Sequence, residues 1–245
     1  MNAFTSKTNP RFDPSQRHDK TKTLVIANSN IRQPDSFSII ERKMAVRLGV
    51  KRLIDIVASV SALIVLAPLF LAIALFIKLD DGGPVFFRQI RWGLNGRKIT
   101  VFKFRSMRAE ACDPSGIQQT VKGDSRVTGI GALLRKTNID ELPQLFNVLR
   151  GEMSLVGPRC HAINMRAAGR LYEELVPDYH HRHIMRPGIT GLAQTRGWRG
   201  PTARPLEARA RIACDIYYVR NFSLLLDLKI LFKTVVIELR GGTGF

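Results

Sequence analysis

Cysteine is scarce in this chain of 245 residues: Cys112, Cys160 and Cys214 lie far apart, form no CxxC pair and are odd in number. That spacing argues against a disulfide framework or a thiolate zinc site and fits a reducing, cytosol-facing environment. Acids are also short, 20 Asp and Glu against 38 Lys and Arg, a net charge of +18. The expected partners are therefore polyanions: nucleic acid, phosphorylated metabolites or the anionic face of a membrane. Because residues 1–52 hold 11 of the basic and 4 of the acidic side chains, the remainder is itself strongly basic. There is no GxxxxGK[ST] phosphate loop, and "GIGALL" lacks the last glycine of a dinucleotide fingerprint. His180, His181 and His183 in "HHRH" have neither an HExxH context nor cysteine partners and read as surface residues. Ser106 and Ser154 stand in no GxSxG context, so a serine hydrolase has little support. Neither an RNP1 nor a C₂H₂ pattern is present.

Long hydrophobic runs are scarce too, but one stands out. Ile56 to Ile77, "IVASVSALIVLAPLFLAIALFI", is 22 residues without a charge, about enough to cross a bilayer core. It begins too late for a cleaved signal peptide. Length alone favours one spanning helix. Pro68, near the middle, removes a backbone hydrogen bond and bends the helix. Both flanks are basic, Arg42, Lys43, Arg47, Lys51 and Arg52 before the run and Lys78, Arg88 and Arg91 after it, and that pulls both ends to one face. A helix that enters, breaks at Pro68 and returns satisfies both constraints, with Asp55 at the interface among arginines.

The remaining pattern divides the chain into a disordered basic tail over 1–48, the membrane helix over 49–80 and a cytosol-facing domain over 81–245. Asn95-Gly96 between two β-rich runs predicts a hairpin. "RVTGIGALLRK" reads as helical from Gly131, and Pro143, acceptable only in a first turn, starts a helix near Asp140 that ends near Gly151. Phe222 to Arg240 is apolar but interrupted by Asp227, Lys229, Lys233, Glu238 and Arg240, which suits an interfacial or core helix.

Asp140 and Glu141 in "TNIDELPQLFNV" admit two readings. Acids at a helix start are commonly caps that meet the helix dipole, and from the residues alone that reading is favoured. Alternatively, a carboxylate held among arginines serves as a nucleophile toward phosphorus or as a hard ligand for Mg²⁺. Lys103, Arg105, Arg126, Arg135, Arg159 and Arg186 are the candidate phosphate contacts, although each alone is an ordinary surface charge.

The segments "KRLIDIVASVSALIVLAPLFLAIALFIKLDDGGPVFFRQIRWGLNGRKITVFKFRSM", "DSRVTGIGALLRKTNIDELPQLFNVLRGEMSLVGPR", "RPGITGLAQ" and "DIYYVRNFSLLLDLKILFKTV" together resemble the bacterial sugar transferase family, the monotopic phosphoglycosyl transferases. The likeness runs from about Lys51 to Val236. It implies an α+β fold: a mostly helical cytosolic domain with a small β-hairpin, anchored by one proline-broken re-entrant membrane helix and interfacial amphipathic helices. It also implies transfer of a sugar 1-phosphate from a UDP-sugar to undecaprenyl phosphate, with release of UMP, as the first membrane step of exopolysaccharide synthesis. The site would lie on the cytoplasmic face of the bacterial inner membrane, in contact with its lipids. On this resemblance Asp140 is the nucleophile that forms a covalent phosphosugar intermediate. Glu141 assists with a Mg²⁺ ion that both acids would bind, and Lys103, Arg105, Arg135, Arg159, Arg186 and Gln194 meet the substrate, beside Arg126, which stands as a candidate on the residues alone. No nucleic acid is expected as a partner, and a homodimer is compatible.

The match departs at Ala67, where members often carry Ser before the proline, and at Cys160, where proline is usual. The N-terminal tail is too short for the four-helix membrane domain of longer members. "TRGWRGPT" and "EARARIACDIYYV" are most similar to members that load glucose or galactose, glucose first. The rival expectation is a single-span, membrane-anchored basic protein that binds nucleic acid or an assembly partner, with the two acids merely capping a helix.

Overall fold

The computed structural model describes residues 35–108 and 123–241. Helix α1, Asp35–Asp81, carries the apolar run. Residues 1–34 of the expected disordered tail lie outside the described residues, but its last part is helical from Asp35. The strong helix formers of "ERKMAVRL" outweigh its polarity there. The helix also continues through Pro68 instead of ending there. Proline costs one hydrogen bond to the preceding turn, while its fixed φ is itself helical.

One stripe of α1 is buried: Lys51, Asp55, Ser59, Ile73 and Ile77 recur at helical spacing. The other faces expose Ile64, Val65, Leu71 and Leu75. Of the most apolar 18-residue window only 11% is buried inside the protein, so this is no core helix. It is the one helix among the described residues long and apolar enough to cross a membrane. Both ends of the run nonetheless pack on the same domain. Lys51 Nζ meets Asp227 Oδ2 (2.7 Å) and the Val156 carbonyl (2.9 Å), and Asp55 Oδ1 accepts the Leu155 amide (3.0 Å). At the other end Ile73 and Ile77 join Phe104 and Leu134 in one apolar cluster. Asp55 is therefore buried against protein, not spread among arginines at an interface.

Strands β1, Phe86–Trp92, and β2, Lys98–Phe104, form the expected antiparallel hairpin, in register from Phe86 opposite Phe104 to Trp92 opposite Lys98. Asn95 and Gly96, both at positive φ, make its turn. Helix α2, Gly129–Lys136, begins two residues before the expected start, because Thr128 Oγ1 accepts the Gly131 amide and caps it. Gly131 is needed there for close approach: a Cβ would sit 2.0 Å from the Ser106 carbonyl oxygen. The "GIGALL" glycine thus serves packing between α2 and the end of β2.

After α3, Gln144–Leu149, come β3, Ser154–Val156, the two-residue strands β4, Arg166–Ala167, and β5, Arg170–Leu171, and α4, Tyr172–Leu175. Strand β6, Gly188–Thr190, pairs parallel with β3. Short α5, Leu192–Thr195, then leads to α6, Pro205–Arg220, and α7, Leu224–Leu239. One core cluster joins Val156, Leu192, Cys214, Tyr218 and Ile230, drawing on β3, α5, α6 and α7. A second, with Tyr172, Tyr179, Ala208 and Ile212, lies under α4 and α6. Helix α7 buries Asp227 and Ile230 but exposes Leu225, Leu228, Phe232, Val235 and Leu239, an apolar stripe facing outward.

Candidate active site

The two acids occupy a tight turn between two helices. Thr137 closes α2, Asn138 takes the left-handed conformation (φ 54°), and Ile139–Glu141 form one 3₁₀ turn before Pro143 starts α3. Asparagine tolerates that backbone better than most residues. Its side chain is used as well: Nδ2 donates to Glu238 Oε2 (2.9 Å), whose other oxygen accepts Arg199 Nη1 (2.9 Å). The end of α7 thereby holds the turn.

Helix α3 is fixed through its C-terminal half. The side chain of Asn147, wholly buried, accepts the Phe102 amide (3.1 Å) and donates to the Thr100 carbonyl (2.7 Å), tying α3 to β2. Arg52 donates to the carbonyls of Val148 (2.6 Å) and Leu149 (3.0 Å), and Arg186 Nε to that of Gly151 (2.8 Å). These are the carbonyls a helix C-terminus leaves without intrahelical partners, and a cation suits that end of the dipole.

The environments of the two carboxylates differ sharply. Glu141 is clamped by Lys103 Nζ (2.7 Å) from β2 and by Arg159 through both guanidinium nitrogens (2.6 and 3.1 Å) from the loop after β3. Burial acts to raise its pKa, but Arg159 and Lys103 more than offset that and hold the carboxyl well below its usual range. Arg159 is raised in turn, chiefly by Glu141. Asp140 is 7% exposed, and among the described residues none donates a hydrogen bond to its carboxylate. Burial therefore lifts it to about 6, only partly countered by Lys103, Arg135 and Arg159, while Glu141 adds to the rise. The site thus pairs a locked, ionised acid with a bare, basic one.

Of the residues singled out from the sequence, Asp140, Glu141, Lys103, Arg135 and Arg159 interact electrostatically as one group. Arg135 also donates from Nη1 to Ser106 Oγ (3.3 Å). Four others meet different partners. Arg105, buried at the end of β2, reaches the Ile77 carbonyl (3.4 Å), and Arg126 forks onto Asp124 (2.8 and 2.6 Å). Arg186 caps α3, and Gln194, buried in α5, donates to the Ile189 carbonyl (3.2 Å). Within "HHRH", His180 and His181 are exposed as expected, but His183 is buried, contrary to the surface reading, and so is Arg182 beside it. Arg182 pairs with Asp215 (2.7 Å) and donates to the Arg159 carbonyl. A usable signal existed in the sequence: Asp215 shares the apolar phase of α6 with Ala208, Ile212 and Tyr218, where a carboxylate needs a buried partner.

Residues 46–241 match the family model for the bacterial sugar transferases. The chain belongs to that family. It is 66% identical over 198 residues to the exopolysaccharide production protein PSS of Rhizobium leguminosarum bv. phaseoli, covering 81% of this chain and 99% of that protein. It is 50% identical over 185 residues to the UDP-glucose:undecaprenyl-phosphate glucose-1-phosphate transferase of Klebsiella pneumoniae, covering 76% of this chain and 39% of that one. To the undecaprenyl-phosphate glucose phosphotransferase of Komagataeibacter xylinus it is 47% identical over 214 residues, 86% of this chain and 40% of that one. The chain thus spans nearly all of the Rhizobium protein and about two fifths of the other two. This transferase is an enzyme, and the expectation of a merely anchored binding protein is set aside.

The two acids should respond oppositely to neutralisation. Asp140, with its folded pKa raised from 3.8 to about 6, contributes stability that is present below 3.8 and lost as pH rises through 6. Asp140→Asn should therefore raise the unfolding temperature at pH 8, by on the order of 1–3 kcal/mol of stability, with the gain shrinking toward pH 4. Glu141, held low, contributes stability above its unfolded pKa that is lost as pH falls. Glu141→Gln should lower the unfolding temperature at pH 8. Thermal unfolding of both variants in detergent checks the pair, and the same sign for both would contradict this electrostatic assignment.

Proposed function

We propose that this sugar-phosphate transferase moves a hexose 1-phosphate, with glucose favoured over galactose, from a UDP-sugar to undecaprenyl phosphate at the cytoplasmic face of the inner membrane, in exopolysaccharide synthesis. The observation that carries the reaction type is the contrast between bare Asp140 and clamped Glu141. An Asp140 oxygen attacks the phosphorus that bears the sugar, the bond from that phosphorus to the UMP oxygen breaks, and UMP leaves. The product is a phosphosugar ester of Asp140. An oxygen of undecaprenyl phosphate then attacks the same phosphorus, the acyl-phosphate bond breaks, and the Asp140 carboxylate is regenerated. A carboxylate whose pKa is near 6 is a stronger nucleophile than an ordinary aspartate and is still ionised at neutral pH. Lys103, Arg135 and Arg159 set positive charge around the place where phosphate charge must be accommodated.

A Mg²⁺ ion fits Asp140 better than Glu141: Mg²⁺ commonly takes one or two carboxylates together with substrate phosphates and waters, and among the described residues none donates to Asp140, whereas both Glu141 oxygens are taken by Lys103 and Arg159. Bound there, it would neutralise the diphosphate and the departing UMP. Among the described residues no grouping of three or more metal-ligating side chains occurs, which suits an ion shared with substrate better than a resident protein cage.

Glucose is favoured because the Klebsiella and Komagataeibacter relatives are named for it. A re-entrant helix is supported by the contacts at the two ends of α1. Lys51 and Ile77 would be about 39 Å apart along a straight helix, yet both pack on one domain, which favours both flanks lying on one face of the bilayer. The outward apolar stripe of α7 suits an interfacial helix beside it.

Without any lipid acceptor, the covalent route requires labelled UMP to exchange into UDP-glucose, at a rate that falls as pH drops below about 6. Exchange that depends on the acceptor would overturn the two-step order; exchange with UDP-galactose alone would overturn only the preference for glucose. For the topology, Arg47→Cys and Asp80→Cys, each in a Cys112→Ser background, should both react with an impermeant maleimide only when the cytoplasmic face is open. Labelling of one from each side would mean a spanning helix.

A further inference from the structure

Arg182 and Asp215 come from different elements, the turn Tyr179–Ile184 and helix α6, and each side chain is 1% exposed at a separation of 2.7 Å. A buried ion pair is a weak source of stability, because desolvating both charges offsets most of their attraction. Its role is better sought in what it holds. The same Arg182 nitrogen that meets Asp215 donates to the backbone carbonyl of Arg159, and the guanidinium lies 5.4 Å from the Tyr179 ring centre. Asp215 faces the same segment. Burial raises its carboxyl to about 6, while Arg182, Arg211 and the Arg159 backbone N–H favour its charged form.

The neighbouring carbonyls are held too, that of Cys160 by Arg91 Nη1 (2.8 Å) and that of His161 by the Trp92 amide (3.1 Å). On the other side Gly157 lies so close to the Arg186–Gly188 backbone that a Cβ would fall 2.4 Å from the Arg186 oxygen. The whole segment from Gly157 to His161 is therefore fixed in place. Arg159, at 29% exposure, is the most open of the three side chains in the Glu141 clamp, so its aim depends on its backbone.

We propose that the buried Arg182–Asp215 pair positions Arg159, fixing the backbone from which its guanidinium reaches Glu141 and the substrate phosphates. The catalytic part of this inference rests on the function proposed above; the backbone part does not. Arg182 and Asp215 touch no reacting atom and act through Arg159.

Removing one partner strands a buried charge and endangers the fold, so the informative variant replaces both with apolar side chains of similar bulk, Arg182→Met with Asp215→Leu, which should retain the fold. The expected result is an unfolding temperature close to that of the parent. With UDP-glucose, kcat should fall by about 100-fold, and KM should change much less. In an Arg159→Lys background the same double replacement should cost far less, since the two effects share one route. A folded double variant with kcat within about threefold of the parent, or with equal losses in both backgrounds, would overturn the proposal. Arg182→Lys is the second variant: it keeps the charge on a shorter side chain that cannot reach both Asp215 and the Arg159 carbonyl in the same way, and should show the same kcat loss with an intact fold. If the parent itself turns over no UDP-sugar, the functional reading fails, and hydrogen exchange of the Trp92 and Gly188 amides, which donate to the His161 and Pro158 carbonyls of this segment, still decides the positioning. Faster exchange there in the double variant supports it, and unchanged protection overturns it.

Discussion

The clamp on Glu141 is the interaction on which the rest of the site depends. One carboxylate takes Lys103 and both arms of Arg159, and its neighbour, buried beside it, has no donor among the described residues. Two adjacent acids with similar surroundings would compete for the same cations. Here one acid takes the direct contacts and the other keeps its basicity, so a single basic pocket holds two carboxylates of different character, as the proposed nucleophile requires.

Holding that arrangement requires three segments far apart in the chain to meet within hydrogen-bond distance. Lys103 rides on β2, which Asn147 ties to α3. Arg159 rides on a loop fixed by side chains from β1 and the 179–184 turn. The acids sit in a turn held by the end of α7. The long apolar helix α1 belongs to the same assembly. Arg52 closes α3 from α1, and Lys51 and Asp55 anchor α1 to α7 and β3, so the element that would sit in lipid is bound to the one that carries the chemistry.

Much of this was legible from the residues. Asn95-Gly96 announced the hairpin, whereas the helix expected to start near Asp140 starts at Gln144, because the two acids occupy a separate 3₁₀ turn ahead of Pro143. Local pattern failed where tertiary contacts decide. His183 reads as a surface residue yet is buried, and the neighbouring Arg182, which the sequence pattern does not single out, is buried against Asp215. An arginine's long side chain can serve a phosphate, a helix end or a buried carboxylate equally well: Arg186 donates to the Gly151 carbonyl and Arg182 meets Asp215. Position in sequence does not tell these apart. Pro68 was similarly ambiguous, because the helix can absorb it when contacts on either side hold its ends.

The measurement that most directly tests the central assignment is the intact mass of purified protein incubated with Mg²⁺ and UDP-glucose in the absence of lipid acceptor. A hexose-phosphate adduct that maps to Asp140 and is missing in Asp140→Asn is the predicted result. An adduct mapped to another residue, or turnover retained by Asp140→Asn, would contradict it.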